Sequence, residues 1–250
     1  MLQVTEEDRV VFLRVDQPVG AGASGNRLGW ELIDACQAIE EREEWLAAVV
    51  LVGGGAAFWL EAPADARASD ALAEVWPTAI GAVGRLTPPT LALLAADAIG
   101  PAWELALACD LRLTARDARL GNPEVRLGRV PSAGGTQRLS RLVGPALALR
   151  LVLLGEVLPA ADAHALRLVH WLAEASNLDA CLTEVLGGLR ACAPIALAYA
   201  KESVHQAMDV PLEDGLRLEA DLAALLQTTH DRAEGIAAFL DRRVARFEGR

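Results

Sequence analysis

A chain of 250 residues that is 53% apolar, with 23 Lys and Arg against 34 Asp and Glu and a formal net charge of -11, has the length for a single core and too much apolar sequence to stay disordered. The negative balance disfavours nucleic acid and anionic lipid as partners. The longest apolar runs, such as Leu46 to Val52, fall far short of the roughly 20 residues a membrane-spanning helix needs.

Val10 to Val15 reads as a strand, and Gly20 to Gly25, with three glycines and a serine, as a loop. Asn26 is placed to cap a helix whose apolar positions Leu28, Leu32, Ile33, Cys36 and Ile39 fall at helical spacing. The continuous run Ala47 to Val52, stopped by Gly53-Gly54-Gly55, predicts a strand buried on both faces and hence a sheet covered by helices. A second helix is predicted from about Ser69 to Arg85, ended by Pro88-Pro89. Thr90 to Ala96 is the next strand, Ile99-Gly100-Pro101 a tight turn, Pro101 to Cys109 a helix with proline in its first turn, and Leu111 to Ala115 another strand.

This alternation predicts an α/β architecture. From Gly134 onward the pattern is helical, punctuated by Pro159, Pro194 and Pro211, so we expect a core over residues 1–190 and a helical portion over 191–250.

The excess apolar sequence predicts self-association. The polar segment Thr5-Glu6-Glu7-Asp8-Arg9, with no apolar signal core behind it, predicts a cytoplasmic protein. Cys36, Cys109, Cys181 and Cys192 are far apart, with no Cys-x-x-Cys pair and no histidine at zinc-ligand spacing, so they read as ordinary thiols and no metal is expected. Lys201 is the only lysine. His164, His170, His205 and His230 all lie in the helical half and read as surface or interface residues.

Chemistry concentrates between Ala98 and Gly135. Glu104 and Glu124 flank a short strand and turn, one among Trp103, Leu105 and Ala106, the other between Pro123 and Val125. Carboxylates in apolar surroundings have raised pKa values and serve as acids or bases near neutrality.

These residues resemble the crotonase, or enoyl-CoA hydratase/isomerase, superfamily. The resemblance is carried by Glu104-Leu-Ala-Leu-Ala-Cys-Asp110-Leu-Arg, Gly121-Asn-Pro-Glu124-Val-Arg-Leu-Gly128 and Pro131-Ser-Ala-Gly134-Gly-Thr-Gln-Arg138-Leu in order and spacing. It extends upstream to Ala48-Val-Val-Leu-Val-Gly53 and downstream to Glu234-Gly-Ile-Ala-Ala-Phe239-Leu-Asp-Arg-Arg243. It implies a crotonase-like (ClpP/crotonase) spiral of ββα units whose C-terminal helical region assembles homotrimers or dimers of trimers. It also implies an acyl-CoA thioester substrate, with coenzyme A as part of the substrate and no separate cofactor, and two backbone N–H groups forming an oxyanion hole. Both glutamates that match the hydratases are present: Glu104 would orient and activate water, and Glu124 would exchange the proton at the α-carbon. Family isomerases generally keep only the second, so the pair tilts towards hydration; changed chemistry (isomerisation, decarboxylation or thioester hydrolysis) and a non-catalytic partner role are the rival readings.

Departures from the family pattern bear on the same site. Pro101 stands where a glycine normally supplies the second oxyanion N–H, and proline has none; Ala102, one residue on, is the alternative donor. The first donor position matches Ala62, in the altered setting Leu60-Glu61-Ala62-Pro63. The resemblance places Ser24, Leu60, Pro63, Gly100, Trp103, Pro123, Leu127 and Arg242 at substrate-binding positions, with Asn26 loosely in the coenzyme A motif and Arg67 and Arg243 as further phosphate candidates. Trp59 and Trp103 are large where relatives are small, and either pack in the core or reshape the acyl pocket.

Overall fold

The computed structural model describes residues 2–15, 23–53, 58–59 and 66–250, with the backbone alone over 23–25, 58–59 and 66–74. The strands are β1 (Leu2–Glu7), β2 (Val10–Val15), β3 (Ala48–Gly53), β4 (Phe58–Trp59), β5 (Thr90–Leu94), β6 (Ala98–Ile99), β7 (Leu111–Ala115), β8 (Arg119–Gly121), β9 (Val157–Pro159) and β10 (Trp171–Ala173). The helices are α1 (Ala23–Glu40), α2 (Ala66–Gly84), α3 (Pro101–Ala108), α4 (Gly135–Leu153), α5 (Ala160–Ala165), α6 (Leu178–Arg190), α7 (Pro194–Gln206), α8 (Leu212–Leu226) and α9 (His230–Asp241).

Six strands form one sheet in the order β1-β2-β3-β5-β7-β10 and four short ones a second, β4-β6-β8-β9. The chain repeats one step: a strand in the large sheet, a two- or three-residue strand in the small sheet, then a helix. β3, β4 and α2 make one such turn, and β5, β6 and α3 the next. Each turn stacks in parallel on the last, Val50 opposite Leu91 in the large sheet and Phe58 opposite Ala98 in the small one. This is the ββα spiral that the resemblance implied.

Alternate residues of the large sheet feed two cores. Leu13, Leu51 and Leu94 face α1, α2 and α3 through Leu32, Trp76, Ile80 and Leu105. Phe12, Val50, Leu93 and Leu113 face α6 through Leu182 and Leu186. Each such side chain contributes about 1.5–3 kcal/mol through burial, which is why the central strands carry apolar residues on both faces.

Several expectations are corrected. α1 begins at Ala23, so Asn26 lies inside the helix and is not its cap. The region after Gly134 also contains strands, β9 against β8 and β10 against β7. β1, polar and mostly exposed, pairs antiparallel with β2 as an edge strand.

The large-sheet strands share a direction apart from β1, and this gives the molecule two functional ends. β6 and β8 leave from the C-terminal ends of β5 and β7. α3 then returns towards the N-terminal ends, where Arg112 donates to the Ala106 and Cys109 carbonyls at the end of that helix. Also at the N-terminal ends, Asp110 accepts from the Thr90 N–H at 2.7 Å and lies 2.7 Å from Lys201 Nζ of α7.

Candidate active site

The site is built at the start of α3. Gly100 holds φ 63°, ψ -130°, a backbone conformation open to glycine and strained for other residues. Its N–H donates to the Gly121 carbonyl at 2.8 Å, and its own carbonyl accepts from the Glu104 N–H at 3.0 Å. A side chain here would also collide with chemistry, since a Cβ on Gly100 would stand 3.0 Å from Glu124 Oε1. Pro101 occupies the first helical position, where its missing N–H costs the helix nothing. The first helical bond is that of Glu104 to Gly100, so the Ala102 and Trp103 N–H groups precede it and have no acceptor within the helix.

Glu104 is 1% exposed. Its Oε1 accepts two backbone N–H groups at the start of α4, Ala133 at 2.9 Å and Gly135 at 2.7 Å. Burial pushes its carboxyl above the ordinary 4.5, the Gly135 and Ala133 N–H groups pull it back, the Glu124 charge raises it again and Arg138 lowers it. Arg138 in turn donates to the Ala133 carbonyl at 2.9 Å, bracing the loop that grips Glu104.

Glu124 opens a 3-10 turn over Glu124–Leu127, closed by Gly128 in the left-handed region at φ 70°. Asn122 Nδ2 donates to its Oε1 at 3.2 Å, while Oε2 is buried with no partner. Burial raises this carboxyl too, opposed by its own backbone N–H, Asn122 and Arg129. The carboxylates therefore differ: Glu104 receives two backbone donors that favour its anion, and Glu124 keeps one oxygen bare.

The expected site residues distribute as follows. Glu104, Gly100, Pro101, Ala102 and Glu124 converge at the α3 start. Pro123 is half-buried beside them, and Leu127, 61% exposed, lies on the outer side of the turn. Leu60, Glu61, Ala62 and Pro63 lie outside the described residues, and Ser24, Trp59 and Arg67 are described by backbone only.

Trp103 follows the packing reading, and Arg242 stands apart from the glutamates. Trp103 is 2% exposed and packs in the main core, lining a void of about 10 Å³ with Leu120, Leu139, Leu151 and Leu168, so it is a core side chain and not an acyl-pocket wall. Arg242 is not brought to the glutamates. It caps α9, whose Asp231 binds the tail at the Glu248 and Gly249 N–H groups. That tail meets Arg9 and Trp45 at the opposite, N-terminal ends of β2 and β3. Arg243 is engaged by Glu234 at 2.6 Å. Asn122 escaped the sequence reading as a site residue; its one sequence-level signal is a polar residue inside the apolar stretch that leads to Pro123-Glu124.

Comparison with known proteins gives this geometry its relatives. The model of the enoyl-CoA hydratase/isomerase family matches residues 5–250. The chain is 33% identical to 2,3-dehydroadipyl-CoA hydratase of Escherichia coli (strain K12), covering 100% of this chain and 99% of that protein. It is 32% identical to the mitochondrial methylglutaconyl-CoA hydratase of Homo sapiens, covering 98% of this chain and 75% of that protein. The crystal structure of enoyl-CoA hydratase from Bacillus anthracis superimposes with a TM-score of 0.91 at 28% identity, covering 100% of this chain and 99% of that one. A spiral of ββα turns that delivers a buried and a half-buried glutamate to one helix start, together with matches over the whole length, places the chain in the enoyl-CoA hydratase/isomerase family, with the crotonase fold.

Proposed function

We propose that the protein adds water across the double bond of an enoyl-CoA thioester, or runs the reverse elimination. The observation that carries this reading is the pair Glu104, buried, and Glu124, half-buried, both present and held by different sets of donors around the Gly100 turn.

In the hydration direction Glu104, whose Oε1 is held by the Ala133 and Gly135 N–H groups, accepts a proton from water as the water oxygen bonds to the β-carbon. The π electrons of the breaking double bond move to the thioester oxygen as an enolate. Glu124, the carboxyl that burial favours in its neutral form, then gives a proton to the α-carbon. The enolate oxygen needs aimed donors. Pro101 cannot supply one, so the Ala102 N–H takes that role, with the Ala62 N–H as the other donor on resemblance. Coenzyme A enters as part of the substrate, no separate cofactor is required, and the reaction is assigned to the cytoplasm. Gly100, Pro123 and Leu127 border the acyl group, and Ser24, Leu60 and Pro63 belong to the substrate side on resemblance.

The same reading takes residues 191–250 as the assembly region of a homotrimer or dimer of trimers, supported by the apolar side chains that α8 and α9 leave exposed. Arg242, which closes α9 in its own chain, would contact coenzyme A phosphates across such an interface.

The test is loss of the conjugated thioester absorbance when purified protein meets short and medium trans-2-enoyl-CoA esters. Turnover that falls at least about 10²-fold in Glu124→Gln is expected. No turnover at any chain length, or an unimpaired Glu124→Gln, sinks the reading.

One observation favours a second reading. With Pro101 at the oxyanion position, a site that relied on that donor would be slowed by about 10²–10³. If Ala102 has replaced it, Pro101→Gly changes kcat by less than about tenfold. A gain of 10²–10³ would instead mean that the proline suppresses hydration and that the native chemistry lies elsewhere.

A further inference from the structure

Asn122 is 4% exposed and stands between the two glutamates. One end of its carboxamide faces two acceptors, Glu124 Oε1 at 3.2 Å and the Gly100 carbonyl at 3.4 Å. Only the nitrogen can donate to both, which fixes the orientation of the amide. Oδ1 therefore turns the other way. A Cβ on Gly135 would stand 3.2 Å from Asn122 Oδ1 and 2.9 Å from Glu104 Oε1, so the two oxygens pack against the same glycine and face the same part of the site. Asn122 Oδ1 is buried and no donor among the described residues reaches it. A buried carbonyl oxygen in that state calls for a donor from outside the chain. Water is the molecule that fits, because it carries two donors, one for the Glu104 carboxylate and one for Asn122 Oδ1, and keeps its lone pairs for the substrate.

We propose that Asn122 is a positioning residue of the hydration site: its Nδ2 fixes Glu124 against Gly100, and its Oδ1 shares with Glu104 the water that is added to the substrate. This rests on the hydratase reading. The charged groups around the pair are Glu104 from α3, Arg129 beyond the 3-10 turn and Arg138 from α4. Removing the Asn122 N–H takes away a donor that favours the Glu124 anion, so the Glu124 carboxyl titrates at higher pH.

The experiment compares wild type with Asn122→Leu and with the near-isosteric Asn122→Asp, each checked for folding by circular dichroism. Hydration of a short trans-2-enoyl-CoA is followed across pH, and the Glu124 carboxyl by carbon-13 NMR. Both variants are expected to lose about 10²-fold in kcat with little change in KM, and to titrate Glu124 at higher pH than wild type. Wild-type kcat in Asn122→Leu, or an unmoved Glu124 titration, overturns the proposal while leaving the hydratase reading intact. Absence of hydration by the wild type removes that reading and the water-sharing role together. The titration, which needs no turnover, still decides whether Asn122 holds Glu124.

Discussion

Glu104 is held by the fold at a cost. Its folded pKa lies above the ordinary 4.5 because burial disfavours the anion more than its two backbone donors favour it. Stability from such a group is complete below the unfolded value and is lost as pH rises through the raised folded value. Glu104→Gln keeps an acceptor for Ala133 and Gly135 and cannot ionise. Its melting temperature is therefore expected to rise relative to wild type as pH increases above 4.5, by about 2–4 °C for each kcal/mol relieved, while hydration falls at least about 10²-fold. Calorimetry over a pH series checks the first expectation and the absorbance assay the second. A variant less stable than wild type at every pH would show that Glu104 is a structural anchor. At this scale the sequence was informative where chemistry is local: Gly100-Pro101 and Glu104 lie within one turn of chain, so their relation survives in one dimension. Asn122 and Trp103 were not legible, because Asn122 acquires its role from contacts with Gly100 and Gly135. Residues 102–108 of α3 are buried on every side, so spacing could not say which way Trp103 points.

Among the elements, long apolar runs announced themselves and short strands did not. β4, β6, β8, β9 and β10 span two or three residues each, too few for a period-two pattern to emerge. β1 was missed because an edge strand with solvent on most sides can be polar, as Gln3, Glu6 and Glu7 are. α7 is fastened to the sheet by Lys201, whose Nζ also donates to the Pro88 carbonyl at 3.0 Å. Burial raises the Asp110 carboxyl, but His205, Lys201 and Thr90 outweigh it and hold the pKa below 3.8. Lys201→Met leaves that carboxylate short of its counter-charge, at a cost near the lower end of roughly 3–5 kcal/mol, because Thr90 still donates. Since the folded pKa is depressed, the contribution is present above 3.8 and is lost as pH falls through the lower folded value. The melting-temperature gap between Lys201→Met and wild type should therefore narrow in that acid range, and a gap independent of pH would assign the loss to packing.

For the whole molecule, the surplus of apolar sequence finds a partial account in the doubly covered sheet. The remainder is displayed: Phe239 is 82% exposed, with Leu240, Leu216 and Leu212 also open to solvent. Apolar surface on several helices of one region is what a subunit interface leaves uncovered in a single chain. Light scattering after size exclusion is expected to give about three or six times 26.5 kDa. Phe239→Asp combined with Leu240→Asp should move the mass towards one chain, and a wild-type mass of one chain would overturn the assembly. The place of Arg242 was legible in sequence only as a motif match, since order along the chain does not reveal that it closes α9.

The sole lysine has a further consequence. Thioesters acylate exposed side-chain amines without any catalyst, so a protein that accumulates them at its surface is exposed to self-modification. Here the only lysine amine is 10% exposed and lies 2.7 Å from Asp110, while the other fixed cations are arginines, whose guanidinium groups are not nucleophiles at neutral pH. Among the described residues no open lysine amine is thus offered to the class of molecule the site is proposed to process, and the exposed Cys192 thiol is left as the nucleophile such a molecule would meet.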